Sequence, residues 1–491
     1  MHKKSWIIGV CLVLLGLVAG WAAAAGGVFS NSGHIPPLKV AGDVNQVLNL
    51  QNMDNVGRTK KISFLGTGYQ AVRLVDIVNK AEPAADIEQL YLVGLDGFTA
   101  AIPAADIDGC YITFTAENGW EAINLTHPNS SNVKSIAEIL VVSGGSGEEL
   151  ACHIISPDAD LNKVTPGQLL TGPLLLYPYA EGQAVVQKDG EEHEAQVFTR
   201  RRVFKVSDLI PLSDKDKLLV INERGDGRLV NGDGYFEVRD NQINYLQPDT
   251  RDQLEKIKGI ILRPPVAGIT DAYYDARHYL EGGRRTLVIV LEGLTYRQYC
   301  YAADRGYAPF LENSGQVMQA CGVYPLGNNV GLAALLTGMM PGENGISAAG
   351  DQELKVPSIF TAASNLDKKA VFLDTGEKQL AAEMELVYIG DKNLDGSADD
   401  QLFEEILALL EQDYDLLVAR FNGIEQAGKG YGPLAPETMA RINATDRYLK
   451  EIVDLWPGPV IVIGTQSAGS GGSPQKSFNS ESMFVPYWCL L

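Results

Sequence analysis

The sequence predicts a multidomain fold class: two β-rich (α+β) modules followed by an α/β domain with a mostly parallel sheet. Short runs rich in β-forming residues, separated by turn signals, fill residues 38–147 and return in residues 165–266. From residue 284 to residue 491, apolar strand runs alternate with helical segments, which is typical of a parallel sheet covered by helices on both faces. A chain of 491 residues is long enough for several such domains.

Residues 1–30 have the composition of a targeting segment. His2, Lys3 and Lys4 precede an uncharged run from Ser5 to Phe29, which contains small residues suited to cleavage at Ala22 to Ala25. A basic start, an apolar run and small residues are typical of a secretory signal peptide. If it is not cleaved, the run is also long enough to span a bilayer. We therefore expect a signal peptide or a single N-terminal membrane anchor, and an extracytoplasmic protein that is either secreted or anchored.

The formal net charge of −21 at pH 7 excludes some classes of partner. Proteins that bind nucleic acids or anionic membranes need a basic surface, because they neutralise phosphate charges with lysine and arginine. We therefore expect no nucleic-acid partner. The ligand or protein partner that the chain binds is not identified by its composition.

The second β-rich module repeats the first in the order of its sequence patterns. Three segments of the second module, a predicted short helix and two strands, each match a segment of the first: 204–210 with 72–78, 217–221 with 89–93, and 257–262 with 136–141. Repetition of this kind predicts a tandem duplication of a module of roughly 100 residues.

The first module also contains a short sequence pattern between its predicted helix and its closing strand. A predicted helix and strand are followed by Asp96-Gly97-Phe98 and by a closing strand that begins near Val133. This order resembles the molybdopterin-binding domain of sulfite-oxidase-type oxidoreductases. The cysteine that binds the cofactor in that family lies in an arginine-flanked context, whereas Cys110 lies in a different one. We therefore expect a scaffold copy without a cofactor, and a redox role through a bound pterin is an alternative.

The third region opens with an apolar strand from Thr286 to Leu291, which Glu292-Gly293 ends. Further motifs follow at fixed spacing: Ala308-Pro309-Phe310-Leu311, Tyr324-Pro325, Leu335-Leu336-Thr337-Gly338 and Pro341 to Ile346. These motifs resemble the alkaline phosphatase superfamily, in particular its type I phosphodiesterase/nucleotide pyrophosphatase branch. The resemblance implies an α/β domain in which two metal ions surround a serine or threonine nucleophile.

The same resemblance places residues of this chain at the functional positions of the family. Asn328 lies at the position of the nucleophile, and an amide has no proton or basic lone pair that could be activated for attack. The positions of the metal ligands are vestigial, and they are occupied by Glu292, Glu425, Lys429, Thr465 and Gln466. No histidine lies between Tyr279 and Leu491, so a zinc site of the family type, which needs imidazole ligands, cannot be built there.

Two carboxylates without their metal ions would repel each other if they lay at neighbouring strand ends. Lys429 supplies a positive charge in this region. We therefore predict that Lys429 pairs with Glu292 or with Glu425.

A second metal candidate precedes the predicted helix at residue 401. Asp391, Asn393 and Asp395, followed by Gly396, match the beginning of a calcium-binding loop. The twelfth position of that loop is Leu402 instead of glutamate, so the bidentate ligand is missing. The alternatives are a calcium site and an acidic turn that caps the helix.

Cysteines and a run of arginines leave further alternatives open. Cys300 and Cys321 lie in the same predicted domain and could form a disulfide, or they could be buried free thiols. The arginines at 200–202 could bind an anion or could form the solvated end of a strand.

Taken together, the motifs favour an exported protein whose α/β domain is catalytically inactive and binds a ligand or a partner. The alternative is a metal-dependent hydrolase of phosphate or sulfate esters. It would hold zinc or manganese in an unorthodox carboxylate site built from Glu292, Glu425 and the loop 391–400.

Overall fold

The computed structural model describes residues 36–126, 131–144, 149–188, 191–213, 216–232, 234–248, 253–348, 350–376, 380, 385–466 and 478–491. These residues form five β-sheets with helices around them. The predicted targeting segment, residues 1–30, lies outside the described residues. Among the helices that are described, none is long and apolar enough to cross a membrane.

The first β-rich unit consists of a five-stranded and a four-stranded sheet with strand orders β2-β1-β9-β5-β6 and β3-β4-β7-β8. Its strands are β1 Leu38–Gly42, β2 Leu48–Leu50, β3 Lys60–Phe64, β4 Thr67–Arg73, β5 Ile87–Gly94, β6 Thr99–Pro103, β7 Cys110–Thr115, β8 Gly119–Asn124 and β9 Ile136–Ser143. Helix α1, Leu74–Lys80, and two 3-10 turns, Met53–Asn55 and Ala104–Gly109, connect them. Apolar side chains of both sheets, including Trp120, form one core.

The second β-rich unit has two five-stranded sheets, with strand orders β11-β10-β19-β14-β15 and β12-β13-β16-β17-β18. Its strands are β10 Cys152–Ile155, β11 Asp160–Val164, β12 Leu175–Lys188, β13 Glu191–Lys205, β14 Lys217–Asn222, β15 Gly227–Asn231, β16 Tyr235–Arg239, β17 Gln242–Leu246, β18 Gln253–Leu254 and β19 Ile257–Leu262. Helix α2, Pro166–Leu170, and a 3-10 turn, Val206–Asp208, complete the unit.

The two units share one topology in their first sheets. In each, the last strand lies between the first strand, to which it is parallel, and a middle strand, to which it is antiparallel. A repeated strand order of this kind is what a tandem duplication would give. The duplication itself stays a prediction.

Two details of the predicted modules differ from the structure. The predicted second module, 165–266, leaves out β10 and β11, which belong to its first sheet. These strands are only four and five residues long, and β11 mixes polar with apolar residues, so their sequence gives a weak strand pattern. The predicted helix at 72–78 begins at Leu74 instead, because Val72 and Arg73 still pair with β7 as the end of β4.

The third unit contains an eight-stranded sheet in the order β20-β22-β27-β26-β21-β25-β23-β24. Its strands are β20 Ala267–Gly268, β21 Thr286–Leu291, β22 Met318–Cys321, β23 Ala370–Asp374, β24 Leu386–Tyr388, β25 Leu416–Phe421, β26 Val460–Gly464 and β27 Phe484–Leu490. The sheet is mostly parallel, and β27 is the strand that pairs antiparallel with both of its neighbours. The mostly parallel sheet predicted for this region is therefore present.

Helices cover both faces of this sheet. They are α3 Asp271–Glu281, α4 Tyr296–Ala303, α5 Pro309–Asn313, α6 Asn328–Thr337, α7 Pro341–Asn344, α8 Ile359–Asn365, α9 Asp399–Leu409, α10 Gly423–Tyr431 and α11 Pro436–Leu455. Alternate residues of β21 point to opposite faces. Leu287 and Ile289 pack in the core that includes α9 and α11, whereas Val288 and Val290 pack in the core that includes α3 and α6.

Specific contacts join the three units. Asp43 of the first unit accepts hydrogen bonds from Thr165 Oγ1, at 2.9 Å, and from the backbone N–H of Gly167, at 2.7 Å. Phe478 of the third unit packs over Gly259 of the second, where a Cβ atom would lie 2.3 Å from the ring. Glycine at position 259 therefore allows this close approach.

The described cysteines are free thiols, so Cys300 and Cys321 do not form the disulfide that their sequence left open.

Candidate functional site

The candidate site lies at the carboxyl edge of the parallel sheet. Strands β23, β25, β21 and β26 are neighbours and run in the same direction, so their carboxyl ends meet at one edge. In open α/β sheets this edge is where ligands bind. Glu292 follows β21 directly, Glu425 follows β25 in the first turn of α10, and Thr465 follows β26.

A buried ion cluster occupies this edge, and Arg420 lies at its centre. The guanidinium binds Asp374 through two hydrogen bonds, from Nε to Oδ1 at 2.7 Å and from Nη2 to Oδ2 at 2.8 Å. Its Nη1 atom lies 3.3 Å from Oε2 of Glu292. Arg420, Asp374 and Glu292 are each exposed by 2% or less. A planar guanidinium is suited to bridging two carboxylates in this way.

A second ion pair lies beside this cluster. Lys429 Nζ is 2.9 Å from Oε1 of Glu425, one helical turn away on α10. The predicted pairing of Lys429 with one of the two glutamates is therefore confirmed, and Glu425 is the partner. Glu425 is buried, and its position in the first turn of α10 is favourable for a negative charge near the positive end of the helix dipole.

Gly293, which follows Glu292 directly, approaches Glu425 of the second ion pair closely. This residue has a φ of +79°, and a Cβ atom on it would lie 2.4 Å from Oε2 of Glu425. Its backbone N–H donates a hydrogen bond of 3.2 Å to Oγ1 of Thr465. Glycine is required here both by the backbone conformation and by the close approach of α10. The turn after β21 thus brings Glu292, Glu425 and Thr465 together.

Burial changes the acidity of Glu292. Desolvation raises the pKa of this carboxyl to about 7, although the positive charge of Arg420 acts in the opposite direction. The negative charge of Glu425 adds to the increase. Among the described residues, Oε2 of Glu292 has no hydrogen-bond partner, and its contact with Arg420 Nη1 at 3.3 Å is an ion pair.

Gln466 has a local role in the fold. Its Oε1 accepts a hydrogen bond of 3.0 Å from the backbone N–H of Val323, and its Nε2 lies 3.5 Å from the sulfur of Met483. A Cβ atom on Gly322 would lie 2.5 Å from the carboxamide carbon of Gln466. This side chain therefore holds the segment after β22 against the end of β26, and its two polar atoms are used there.

Asn328 begins helix α6 at the position of the nucleophile in the family that the motifs resemble. Its Oδ1 atom is buried and has no hydrogen-bond partner among the described residues. The neighbouring Asn329 donates hydrogen bonds to the backbone carbonyls of Ala348 and Asp351, at 3.0 and 2.8 Å. The asparagine side chain at 328 offers an acceptor and donors, but no nucleophile.

The residues at this edge do not fit a pair of divalent metal ions. Zinc sites are built from imidazole, thiolate and carboxylate ligands, and the carboxylates here bind Arg420 and Lys429. Within the described ranges, no group of three or more histidine, cysteine, aspartate and glutamate side chains is arranged to hold a metal ion. The guanidinium of Arg420 and the ammonium group of Lys429 supply the positive charge that these carboxylates contact.

Two central residues of the cluster, Arg420 and Asp374, were not predicted from the sequence. Arg420 is the charged residue in the otherwise apolar strand β25, and Asp374 ends the apolar strand β23. A charge within a strand that is buried on both faces needs a buried partner of opposite sign. This signal was present in the sequence, but it does not indicate which carboxylates are the partners.

The calcium candidates lie in a separate loop before α9. Both carboxylate oxygens of Asp391 accept backbone N–H bonds, from Leu394 at 2.7 Å and from Gly396 at 2.9 Å. Asn393 donates a hydrogen bond of 2.8 Å to Asp400, and Asp395 accepts one from the backbone N–H of Ser397. These bonds describe an acidic turn that leads into the helix.

Cys110, the one cysteine near the pterin-like pattern, lies within the core of the first unit. It is fully buried, and desolvation raises the pKa of its thiol to about 12. A thiol in this environment stays protonated, whereas metal binding requires the thiolate.

Comparisons with known proteins give a limited likeness. No protein-family model matches the chain, and no curated protein matches it. Part of the chain is similar in structure to phosphonoacetate hydrolase from Sinorhizobium meliloti, with 20% identity over 39% of this chain and 59% of that one, and a TM-score of 0.31. Murine ectonucleotide pyrophosphatase/phosphodiesterase 5 is similar with 14% identity over 38% of this chain and 57% of that one, also with a TM-score of 0.31.

The human form of the latter protein gives the same TM-score of 0.31, with 13% identity over 38% of this chain and 57% of that one. The chain thus matches less than two thirds of the length of each of these proteins. Likenesses at this level of identity and TM-score do not assign a family or an activity to this chain.

Proposed function

We propose that this chain is an exported, non-catalytic protein with a degenerate alkaline-phosphatase-like domain, and that it acts by binding a ligand or a protein partner. The motif resemblance from Glu292 to Ile346 supports the domain type, and the N-terminal composition supports export. The net charge of −21 argues for a partner other than a nucleic acid.

The observation that most strongly supports this proposal is the ion cluster around Arg420. Two carboxylates at the site edge are bound to a buried guanidinium, and a third is bound to Lys429. Before they could bind metal ions, these carboxylates would have to give up their present ion pairs. The position of the nucleophile is occupied by Asn328, so the two components that phosphoryl transfer in this family requires are both replaced.

The experiment is a phosphodiester hydrolysis assay on the purified chain with bis(p-nitrophenyl) phosphate. Zinc, manganese and calcium are each added in separate reactions, and the variant Glu292→Gln is assayed beside the wild type. Arg277→Met removes an exposed ion pair with Glu281 within α3. It is the control for effects of purification that are unrelated to the candidate site. We expect no turnover above that of the metal ion alone for any of the three proteins.

Metal-dependent turnover in the wild type and in Arg277→Met, together with its loss in Glu292→Gln, would contradict the proposal. That result would show a working carboxylate site and would favour the hydrolase of phosphate or sulfate esters. Turnover that is the same in all three proteins would indicate a contaminating enzyme, and it would leave the non-catalytic assignment of this edge in place.

A further inference from the structure

A long hairpin of the second unit extends well beyond the sheet to which it belongs. Strands β12 and β13 pair with each other along their whole length, from Leu175 opposite Val203 to Lys188 opposite Glu191. Strand β13 pairs with β16 at Val203 to Lys205. Residues 176–188 and 191–202 therefore form a two-stranded arm, which has no third strand among the described residues.

Both faces of the arm are exposed and carry apolar side chains. Every residue from Glu191 to Arg200 is exposed. Val197 and Phe198 are consecutive, so they point to opposite faces, and they are 41% and 58% exposed. Val185, on the opposite strand, is 55% exposed. An isolated two-stranded hairpin is only marginally stable in water, and a long open edge readily pairs with another strand. The arm thus has the features of a binding element.

The charges of the arm indicate which strand it would pair with. Residues 175–205 contain five basic and five acidic residues, so the hairpin is neutral within a chain of net charge −21. Along β13 the charges are separated: Glu191, Glu192 and Glu194 lie at one end, and three arginines occupy 200–202 at the other. A strand that is acidic at one end and basic at the other is complementary to an antiparallel copy of itself.

We propose that this arm is a dimerisation element in which β13 pairs antiparallel with β13 of a second copy of this chain. The twofold axis passes at Val197, so that the two hairpins form a continuous four-stranded sheet. In this register Glu194 lies opposite Arg200 of the partner subunit, and Glu192 lies opposite Arg202 of the partner subunit. Val197 lies opposite Val197 of the partner subunit. This inference is independent of the function proposed above.

The base of the arm is held in place before any partner binds. Arg201 stacks over the ring of Tyr179 at 3.6 Å and forms ion pairs with Glu181, at 2.9 Å, and Glu237, at 3.2 Å. Arg202 forms an ion pair of 2.9 Å with Glu138 of the first unit. These contacts fix the direction of the arm, and a preorganised element loses less entropy when it binds. Arg200 and Glu194 are exposed, so both are accessible to a second copy.

Single cysteines test the register. In an antiparallel pair, directly opposite residues have Cα atoms about 4.5–5.5 Å apart, which suits a disulfide. Val197→Cys in the full chain would therefore place two thiols against each other across the axis. Thr199→Cys lies on the same face of β13, but its two copies would be about 13 Å apart, beyond the roughly 7 Å that a disulfide can bridge.

We expect mild oxidation to give a covalent dimer of Val197→Cys but not of Thr199→Cys, as measured by non-reducing gel electrophoresis. Equal cross-linking of both variants, or none of Val197→Cys, would overturn the proposed pairing. The wild-type chain, oxidised in parallel, controls for cross-links through its own cysteines.

Charge exchange tests the complementarity, with sedimentation velocity as the measurement. Glu194→Arg places arginine opposite arginine and should raise the dimer dissociation constant by about tenfold or more. The double variant Glu194→Arg/Arg200→Glu restores opposite charges and should bring the constant back to near that of the wild type. Both positions are exposed, so the fold should be retained, which circular dichroism verifies. A wild-type chain that is monomeric throughout, or two variants that dimerise alike, would contradict the proposal.

Discussion

Glu292 is buried beside Arg420, and burial raises the pKa of its carboxyl from 4.5 to about 7. Between these two pH values, the folded protein holds a proton that the unfolded chain has released. The contribution of Glu292 to the free energy of unfolding is therefore complete below pH 4.5 and is lost as the pH rises through 7. The shift corresponds to about 3 kcal/mol.

The variant Glu292→Gln has no proton to exchange at this position, so it should lack this part of the pH dependence. Denaturant titrations of both proteins between pH 4.5 and pH 8 measure the difference. We expect the wild type to lose about 3 kcal/mol relative to the variant as the pH rises. Asp399, whose pKa burial raises to about 6, is present in both proteins and cancels in the comparison. Identical pH profiles would show that Glu292 stays ionised.

Arg420 is the cation on which the buried cluster depends. Arg420→Met leaves Asp374 and Glu292 buried without their positive partner, and removal of one member of a buried ion pair typically costs 3–5 kcal/mol. Arg277→Met breaks an exposed pair with Glu281 and should cost less than about 1 kcal/mol. Thermal or denaturant unfolding measures both losses. Equal, small losses would mean that the cluster contributes little to stability.

For individual residues, the sequence predicted part of the candidate site at the edge of the sheet. Motif spacing placed Glu292, Glu425 and Lys429 near one another, and the structure brings them to one edge of the sheet. The role of Arg420 at this edge could not be predicted from motif spacing, because its partners Asp374 and Glu292 lie 46 and 128 residues away in the chain. The pairing of such distant side chains depends on strand order, which local patterns do not contain.

Among the elements, continuous apolar runs gave the most reliable predictions. Strand β21, Thr286–Leu291, has the bounds predicted for it. Such strands are buried on both faces, so nearly every residue is apolar and the boundaries are sharp. The long hairpin β12–β13 was not predicted. Residues 191–200 of β13 are all exposed, so no alternation of buried apolar and exposed polar side chains marks this part of the hairpin as a strand.

The arm has a weak strand pattern, but its sequence shows a separation of acidic and basic residues. The acidic residues lie at one end of β13 and the arginines at 200–202 lie at the other. From the sequence alone, this arginine run had two interpretations, anion binding or the solvated end of a strand. In the structure, Arg201 and Arg202 form ion pairs within the chain, and Arg200 is exposed on the arm. The extended hairpin gives this run a third interpretation, which is pairing with an acidic strand end of a second copy.

For the whole molecule, the order of modules along the chain could be predicted, but their contacts could not. The close approach of Phe478 to Gly259 joins residues from separate units. The sequence around either position contains no pattern that predicts this contact. The same is true of Asp43, which binds backbone and side-chain donors of the following unit. These contacts arrange the two β-rich units and the α/β unit into a continuous structure.

The central claim is that protein cations, rather than metal ions, neutralise the carboxylates at the edge of the parallel sheet. The most direct test is the metal content of the purified chain, measured by elemental analysis after exposure to zinc and manganese and removal of unbound ions. We predict far less than one metal ion per chain, unchanged in Glu292→Gln. One or two ions per chain, lost in Glu292→Gln, would contradict the claim and would show that the carboxylates exchange their ion pairs for metal.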